Sequence, residues 1–212
     1  MASLRWGDDV PVDAQAAKVR LIAAADACIE RFGLAKTTIE DVAAEAKVSR
    51  ATIYRYFPNR DDLVLEVLLA SLARSMERSL GDFFVGADTP ARFGDALVRS
   101  AVYLLDAIRH DPKLETLLDR ESGGLSATIS GASELLFHTV LDEWRQPLSQ
   151  AQGQGLIRPE LDIDELSEWI LRAILSLLIV EGPEPHSSDD ERRLIATFLV
   201  PAVVASEPAP VR

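Results

Sequence analysis

The residues best suited to bind another molecule lie between positions 31 and 60. This segment holds six Lys or Arg side chains and three Asp or Glu, a net charge of +3, whereas the 212-residue chain carries −12. Hydroxyl and phenol groups are interspersed with these charges. Such donors contact phosphate oxygens and base edges in DNA, and an acidic remainder would orient the basic segment toward a polyanion. The alternative is a chance cluster of charges on a solvated face.

The elements that position this segment are predicted to be helices. Apolar residues recur at spacings of three and four along the chain, without sustained strand-type alternation, so the predicted fold class is all-α. A helix over about 13–32 comes first. Thr37 or Thr38 then opens a short helix with a capping box, and Ser49 opens another that ends before Pro58. Two short helices with a tight turn between them are typical of a helix-turn-helix.

The stretch GLAKTTIEDVAAEAKVSRATIYRYFPNR, residues 33–60, resembles the DNA-binding signature of the TetR family. From the first helix to the start of the fourth, about a quarter of the chain, the matching positions occur in order and without gaps. They are Gly33, Thr37, Thr38, Val42, Ala43, Ala46, Val48, Ser49, Thr52, Tyr54 and Phe57. The rest of the chain resembles the family in helix pattern and length.

The resemblance implies two domains and about nine helices. A three-helix helix-turn-helix DNA-binding domain is expected over 13–60, after a flexible N-terminal arm over 1–12. A larger helical bundle for ligand binding and dimerisation follows over 61–200, with a flexible tail over 201–212. Helices of the larger domain are expected near 60–80, 90–110, 112–120, 130–152 with a kink or break at Pro147, 162–180, and 188–200.

The third helix begins with residues that can enter the major groove of double-stranded DNA. Arg50 is the first candidate for reading bases and Thr52 the second. Tyr54, Tyr56 and the helix N-termini suit phosphate contact, and Ser49 is a further candidate DNA-binding residue. The family resemblance implies that Thr38 and Arg60 clamp the phosphate backbone on either side. The alternatives are that Thr38 only caps its helix, that Tyr54 belongs partly to the core, and that Arg60 is merely solvated.

Lys47 departs from the family pattern, which has glycine at this turn position. The turn needs a positive φ, which costs a residue with a side chain roughly 1–2 kcal/mol. A lysine here could offset that cost by reaching a phosphate. Lys47 is therefore both a candidate DNA contact and a site of backbone strain.

The last two helices carry wide apolar stripes and are expected to be capped by Asp162 with Glu165 and by Ser188 with Glu191. The stripes either complete the core of the domain or pair with a second copy of the chain. A homodimer would suit a palindromic operator, which needs two recognition helices about 34 Å apart. The candidate interface residues are Leu166, Trp169, Ile170, Ala173, Ile174, Leu177, Leu194, Ile195 and Phe198.

The second domain is larger than DNA binding requires, which favours a sensor for a small molecule. We expect a largely apolar pocket whose ligand lowers the affinity for the operator, with repression as the family default. Aromatic residues on several helices are candidate lining, and three residues are candidate polar anchors. The set is Phe93, Tyr103, Arg109, Phe137, His138 and Trp144, of which Tyr103, Arg109 and His138 are the anchors.

Other classes of function have little support in the residues. One cysteine and three widely spaced histidines offer no metal site, no cofactor motif is present, and neither a hydrolase serine motif nor a phosphate-binding loop occurs. A helical adaptor that binds only protein, or an enzyme, remains the alternative. With no apolar run of signal-peptide or membrane-spanning length, a cytoplasmic protein without membrane contact is expected.

Overall fold

The computed structural model describes residues 11–113, 124–180 and 186–205, without the side chains of 124–136. Residues 1–10 of the arm expected over 1–12, and most of the helix expected over 112–120, lie outside the described residues. The chain divides into two compact units, 1–71 and 72–212. The helices are α1 Ala14–Phe32, α2 Ile39–Ala46, α3 Arg50–Tyr56, α4 Arg60–Phe83, α5 Pro90–His110, α6 Gly124–Gly153, α7 Ile163–Ile179, α8 Ser188–Leu194 and α9 Val200–Val203, with a π-helical turn Ile195–Leu199 before α9.

The predicted all-α class is confirmed. In the described ranges the only extended pairing is a single bridge between Ile157 and Val204, and no helix there is long and apolar enough to cross a membrane. The boundary expected at residue 60 differs from the division at 71, which falls within α4.

The first unit consists of α1, α2, α3 and the start of α4 around one apolar core. Asp13 caps α1 by accepting the N–H of Ala16 at 2.7 Å, and Gly33 ends the helix with φ 82°. That left-handed backbone suits glycine, which has no Cβ to clash. The core contains buried residues from all four helices and Phe57, which follows α3. They include Leu21, Cys28, Val42, Ile53 and Val67.

The second unit packs α5, α6, α7 and the C-terminal helices around a larger core. Thr89 caps α5, and Pro90 occupies its first turn, where the missing N–H costs nothing. α6 continues through Pro147, where a kink or break was expected. Buried residues on both sides of the proline, Trp144 and Leu148 among them, keep the helix face on the core, and tertiary packing of this kind outweighs local helix preference.

The cap of α8 lies one residue earlier than expected. Ser187 and Asp190 form the capping box, in place of Ser188 and Glu191. Hydrogen bonds from the hydroxyl and the N–H of Ser187 lower the pKa of Asp190 to about 2. This register turns Glu191 into the core, where its buried carboxylate lies 2.6 Å from a guanidinium nitrogen of Arg109. Ser187 with Asp190 and Ser188 with Glu191 both have the spacing of a capping box. Only the first pair leaves the Glu191 carboxylate available for its ion pair with Arg109.

The C-terminal segment is fastened to the turn that follows α6. The N–H of Arg158 donates to the carbonyl of Val203, and the N–H of Ala205 donates to the carbonyl of Leu156, both at 3.0 Å. A flexible tail was expected from residue 201, but 201–205 form the end of α9 and this pairing; 206–212 lie outside the described residues. These two hydrogen bonds therefore hold the C-terminal end of α9 against the segment that follows α6.

The approach of α5 to the C-terminal helix depends on Gly94. A Cβ at this position would lie 2.9 Å from Cγ1 of Val200 and 3.6 Å from Cγ2 of Val204. Valine has a stiff χ1, so its methyl groups cannot easily move aside. The two helices therefore pack at a separation that only glycine permits.

Gly94→Ala is expected to lower the melting temperature because overpacking costs about 1–3 kcal/mol, more than the helix preference of alanine returns. Gly81→Ala on α4 is the control: apart from its chain neighbours and its own helix backbone, no atom lies within 4 Å of its added Cβ, so its melting temperature should stay the same or rise. Thermal unfolding followed by circular dichroism measures both. Equal stability of the two variants would show that the helices can separate at no cost.

Candidate nucleic-acid interface and apolar cleft

Caps fix the first turn of both short helices of the helix-turn-helix. The Thr38 hydroxyl accepts the N–H of Asp41 at 3.2 Å and donates to its carboxylate at 2.6 Å, and the N–H of Thr38 donates to the same carboxylate. These hydrogen bonds lower the pKa of Asp41. Ser49 accepts the N–H of Thr52 at 3.2 Å. The hydroxyl groups of Thr38 and Ser49 thus set the directions of α2 and α3.

The turn between α2 and α3 contains the strained residue that the sequence predicts. Lys47 has φ 56° and ψ 44°, the left-handed region, and is the only residue other than glycine with positive φ in the described part of the chain. The N–H of Val48 donates to the carbonyl of Ala43 at 2.9 Å, as in a Schellman ending. The predicted positive φ is confirmed, and the Lys47 side chain is exposed.

The outer face of α3 presents Arg50 and Tyr54, whose side chains are exposed. Arg50 forms an ion pair with Glu40 of α2, with Nη1 and Oε1 at 2.6 Å. Thr52 is different, because it is buried and its hydroxyl lies 2.9 Å from that of Ser49. Of the two candidates for base readout, Arg50 is therefore the accessible one. Tyr56 is half-buried against the core of the first unit.

The guanidinium of Arg60 forms hydrogen bonds within its own chain. Its Nε–H donates to the carbonyl of Thr37 at 2.9 Å, and Nη2 donates to the carbonyl of Leu34. A third nitrogen lies 3.6 Å from the carboxylate of Asp61. The side chain thus fastens the loop between α1 and α2 to the first residue of α4. The sequence suggested a phosphate contact and gave no sign of this second role.

The second unit contains an apolar cleft with two adjoining recesses. The inner recess spans about 400 Å³ of space that includes open solvent, with a cavity of about 30 Å³ inside it. The outer recess spans about 600 Å³ in the same sense, with a cavity of about 190 Å³. The two share Leu80, Phe84, Pro147 and Leu148. Ser100 is the polar residue of the inner recess, and its hydroxyl lies 2.7 Å from that of Ser79. The remaining inner lining is Leu97, Ala101, Leu104, Trp144, Ile170 and Ile174.

The outer recess adds two amides, those of Gln150 and Gln154, to a lining that is otherwise apolar. No Asp, Glu, Lys, Arg or His lines either recess among the described residues. Those residues also contain no group of three or more side chains suited to hold a metal ion. The cleft is therefore mostly apolar, with one hydroxyl group in the inner recess and two amide groups in the outer one.

The six residues predicted to bind a ligand are distributed over several places. Trp144 lines the inner recess and Phe93 the outer one. Tyr103 packs against Phe83, with ring centroids 5.6 Å apart and the ring planes at 56°. Like Tyr103, the other three lie in neither lining: Arg109 pairs with Glu191 and donates to the carbonyl of Leu177, Phe137 packs under Arg172, and His138 is exposed.

The predicted dimer residues divide into inward and outward sets. Trp169 on α7 is 48% exposed, and Phe198 on the π-helical turn is 68% exposed. Ala173, Leu177 and Leu194 are half-buried. The others, Leu166, Ile170, Ile174 and Ile195, are buried in the core of their own unit. Sequence periodicity could not separate the two sets because the apolar stripe of α7 is wide enough to include residues of both.

Comparison with known proteins matches the first unit to a family model. Residues 21–67 fit the model described as "Bacterial regulatory proteins, tetR family". An uncharacterized HTH-type transcriptional regulator of Mycobacterium tuberculosis is 25% identical over 193 residues, covering 90% of this chain and 87% of that protein. The HTH-type regulator YdeS of Bacillus subtilis is 26% identical over 190 residues, covering 84% and 85%.

Among solved structures, the TetR family repressor AlkX from Dietzia sp. superposes with a TM-score of 0.66 at 18% identity. The match covers 92% of this chain and 99% of AlkX. At this level of identity the likeness concerns the fold, and it extends over both units.

Lys47→Gly should stabilise the protein by up to about 1 kcal/mol because glycine adopts positive φ without a Cβ clash. Lys36→Gly, at an exposed loop position without positive φ, is the control and should give no gain. Urea unfolding compares the variants. A stability at or below that of the parent for Lys47→Gly would contradict the strain, and a loss of DNA affinity in this variant would indicate a phosphate contact.

Arg60→Lys keeps the positive charge but loses the planar fork that serves two carbonyl groups. We expect a loss of about 1–2 kcal/mol in stability, with the salt dependence of DNA binding unchanged. Arg55→Lys, on the exposed face of α3, should leave stability unchanged. Equal unfolding curves for the two variants would mean that the carbonyl contacts do not stabilise the loop.

Proposed function

Since the chain is a TetR-family helix-turn-helix regulator, we propose that it acts as a homodimeric repressor that a small uncharged ligand releases from its operator. The DNA-binding part of this proposal rests on Arg50, which is exposed at the start of α3. That helix is capped at its N-terminus, and one of its faces is buried. A bacterial regulator of chromosomal DNA works in the cytoplasm, which is the proposed location.

The first unit supplies groups of three kinds to DNA in this proposal. Arg50 offers a guanidinium to base edges, where paired N–H groups match guanine. Tyr54, Lys47 and the N-terminus of α2 offer donors to phosphates. Base contact selects the sequence, whereas phosphate contact sets the register of α3 in the groove.

The second unit supplies the dimer surface. Trp169 and Phe198 are large apolar side chains left exposed by the fold of one chain. Aromatic side chains in the centre of an interface contribute strongly to association. Pairing of α7 and the C-terminal helices with their counterparts would bury them and would present two α3 helices to a palindromic site.

The apolar cleft supplies the ligand site. Its lining has no charged group, so an ionised ligand would lose hydration without gaining a partner. An elongated uncharged molecule fits better, with its apolar part in the inner recess and a hydrogen-bonding group near Gln150 and Gln154. A hundredfold release from DNA requires about 2.7 kcal/mol of coupling between ligand and operator.

Selection from a random duplex library tests the proposed function. The protein should enrich one palindromic sequence and bind it far more tightly than a scrambled duplex. Arg50→Ala should keep most of its affinity for scrambled DNA and lose most of the discrimination, about 1–3 kcal/mol for a bidentate base contact. Failure to enrich any duplex would overturn the proposal and favour a protein-binding adaptor.

Phe198→Asp should convert the dimer into a folded monomer, because a charge on the paired face cannot be solvated there. Val85→Asp is the control, since Val85 is 83% exposed in the loop after α4. Light scattering gives the mass and circular dichroism the helix content. A dimer of Phe198→Asp would place the interface elsewhere. Ile174, buried in its own unit, is unsuitable for this test.

Ala101→Leu should abolish ligand binding because the larger side chain fills the inner recess, which Ala101 lines. Ala91→Leu, on the exposed face of the same helix, should bind as the parent does. Thermal shift with matched alkyl alcohols, amides and carboxylates measures binding. We expect a rise in melting temperature with uncharged members of the series only. Equal shifts with the carboxylates, or equal shifts in both variants, would contradict the assigned cleft.

A further inference from the structure

Glu40 places a carboxylate on the surface that the proposed function turns toward DNA. It is the second residue of α2, and its side chain is 56% exposed. Its Oε1 lies 2.6 Å from Nη1 of Arg50, at the start of α3. A carboxylate beside phosphates reduces affinity, so its position calls for a reason other than tighter binding.

Stability is a weak reason for this ion pair. Both partners are more than half exposed, and exposed pairs add little to the free energy of unfolding. The helix-turn-helix already has its caps, its turn and its buried core. The effect of Glu40 on Arg50 is therefore more informative than its effect on the fold.

The contact joins one carboxylate oxygen to one guanidinium nitrogen. Arginine has five N–H donors in a planar fork, so donors remain for a guanine edge while Glu40 holds the side chain. Holding the side chain reduces the entropy lost when it binds a base. The negative charge also reduces the attraction of Arg50 to phosphates, which occur at every sequence.

We propose that Glu40 is a specificity-determining positioning residue: it directs Arg50 to a base edge and keeps it from nonspecific phosphate contact. This inference rests on the proposed function of the first unit as a DNA-binding domain. Glu40 acts through Arg50, so its effect must disappear when Arg50 is absent.

The chain provides a matched control. Glu45 lies on the same helix, and its carboxylate pairs with Arg31 of α1 at 3.3 Å. Glu40→Gln and Glu45→Gln remove the same charge from the same helix. Each should raise the affinity for any duplex through the general field of the unit.

Fluorescence anisotropy on the full-length protein should separate the variants. The probes are the duplex enriched by the parent protein and a scrambled duplex, each titrated over a range of salt. In Glu40→Gln, the ratio of the two affinities should fall about three- to tenfold. The salt slope on scrambled DNA should steepen by about one phosphate, as the released Arg50 engages the backbone. Glu45→Gln should change neither ratio nor slope.

A double-mutant cycle completes the test. In the Arg50→Ala background, Glu40→Gln should behave as Glu45→Gln does. An unchanged ratio in Glu40→Gln, or a fall in ratio that persists without Arg50, would overturn the inference while DNA binding by the parent protein stands. If the parent enriches no duplex, the proposed function itself fails. Thermal melting of each variant identifies a loss of fold, which would also count against a positioning role.

Discussion

The guanidinium of Arg60 is the contact on which the geometry of the first unit depends. The loop between α1 and α2 has carbonyl groups with no helical partner, and two of them, those of Leu34 and Thr37, accept hydrogen bonds from this side chain. A planar fork can satisfy both at once. Thr38 follows directly, so the loop position sets where α2 starts. The left-handed turn at Lys47 then sets the angle at which α3 leaves α2.

The second unit is organised by two close contacts that leave little freedom around them. Gly94 lets α5 approach the C-terminal helix, and the Glu191 carboxylate is held by Arg109 at the other end of α5. A buried carboxylate without a partner would be costly, so this pair fixes the register of α8 against α5. The cleft lies in the same unit, and its inner lining comes from helices α4 to α7.

Local rules account for much of what the sequence predicted. Polar caps such as Thr38 and Ser49 depend on neighbouring residues and were found from the sequence. The strained turn at Lys47 was implied by the resemblance to the family, which has glycine at this position. Properties that depend on distant packing were not found from the sequence. The sequence SSDDE allows two capping boxes, and the burial of Glu191 against Arg109 distinguishes them. Likewise, the wide apolar stripe of α7 gives no sign that Ile174 faces inward while Trp169 faces outward.

In the candidate DNA-binding site, too, some features follow from local sequence and others depend on packing. Arg50 could be chosen from its place at the start of α3, whereas the burial of Thr52 depends on how α3 rests on the core. The pairing of Glu40 with Arg50 joins residues of two helices, and its geometry exists only once the turn has formed. The cleft is a further case, because Ser100 comes to line it only when four helices surround it.

The single cysteine of the chain makes this protein well suited to site-specific labelling. Cys28 is buried under the helix-turn-helix, and burial raises the pKa of its thiol. A protonated and inaccessible thiol reacts slowly with maleimides and methanethiosulfonates. A cysteine introduced at exposed Ala51 on α3 would therefore carry a spin label alone, with the native thiol left in place. In a two-fold assembly, the dipolar coupling between two such labels would report the separation of the recognition helices directly.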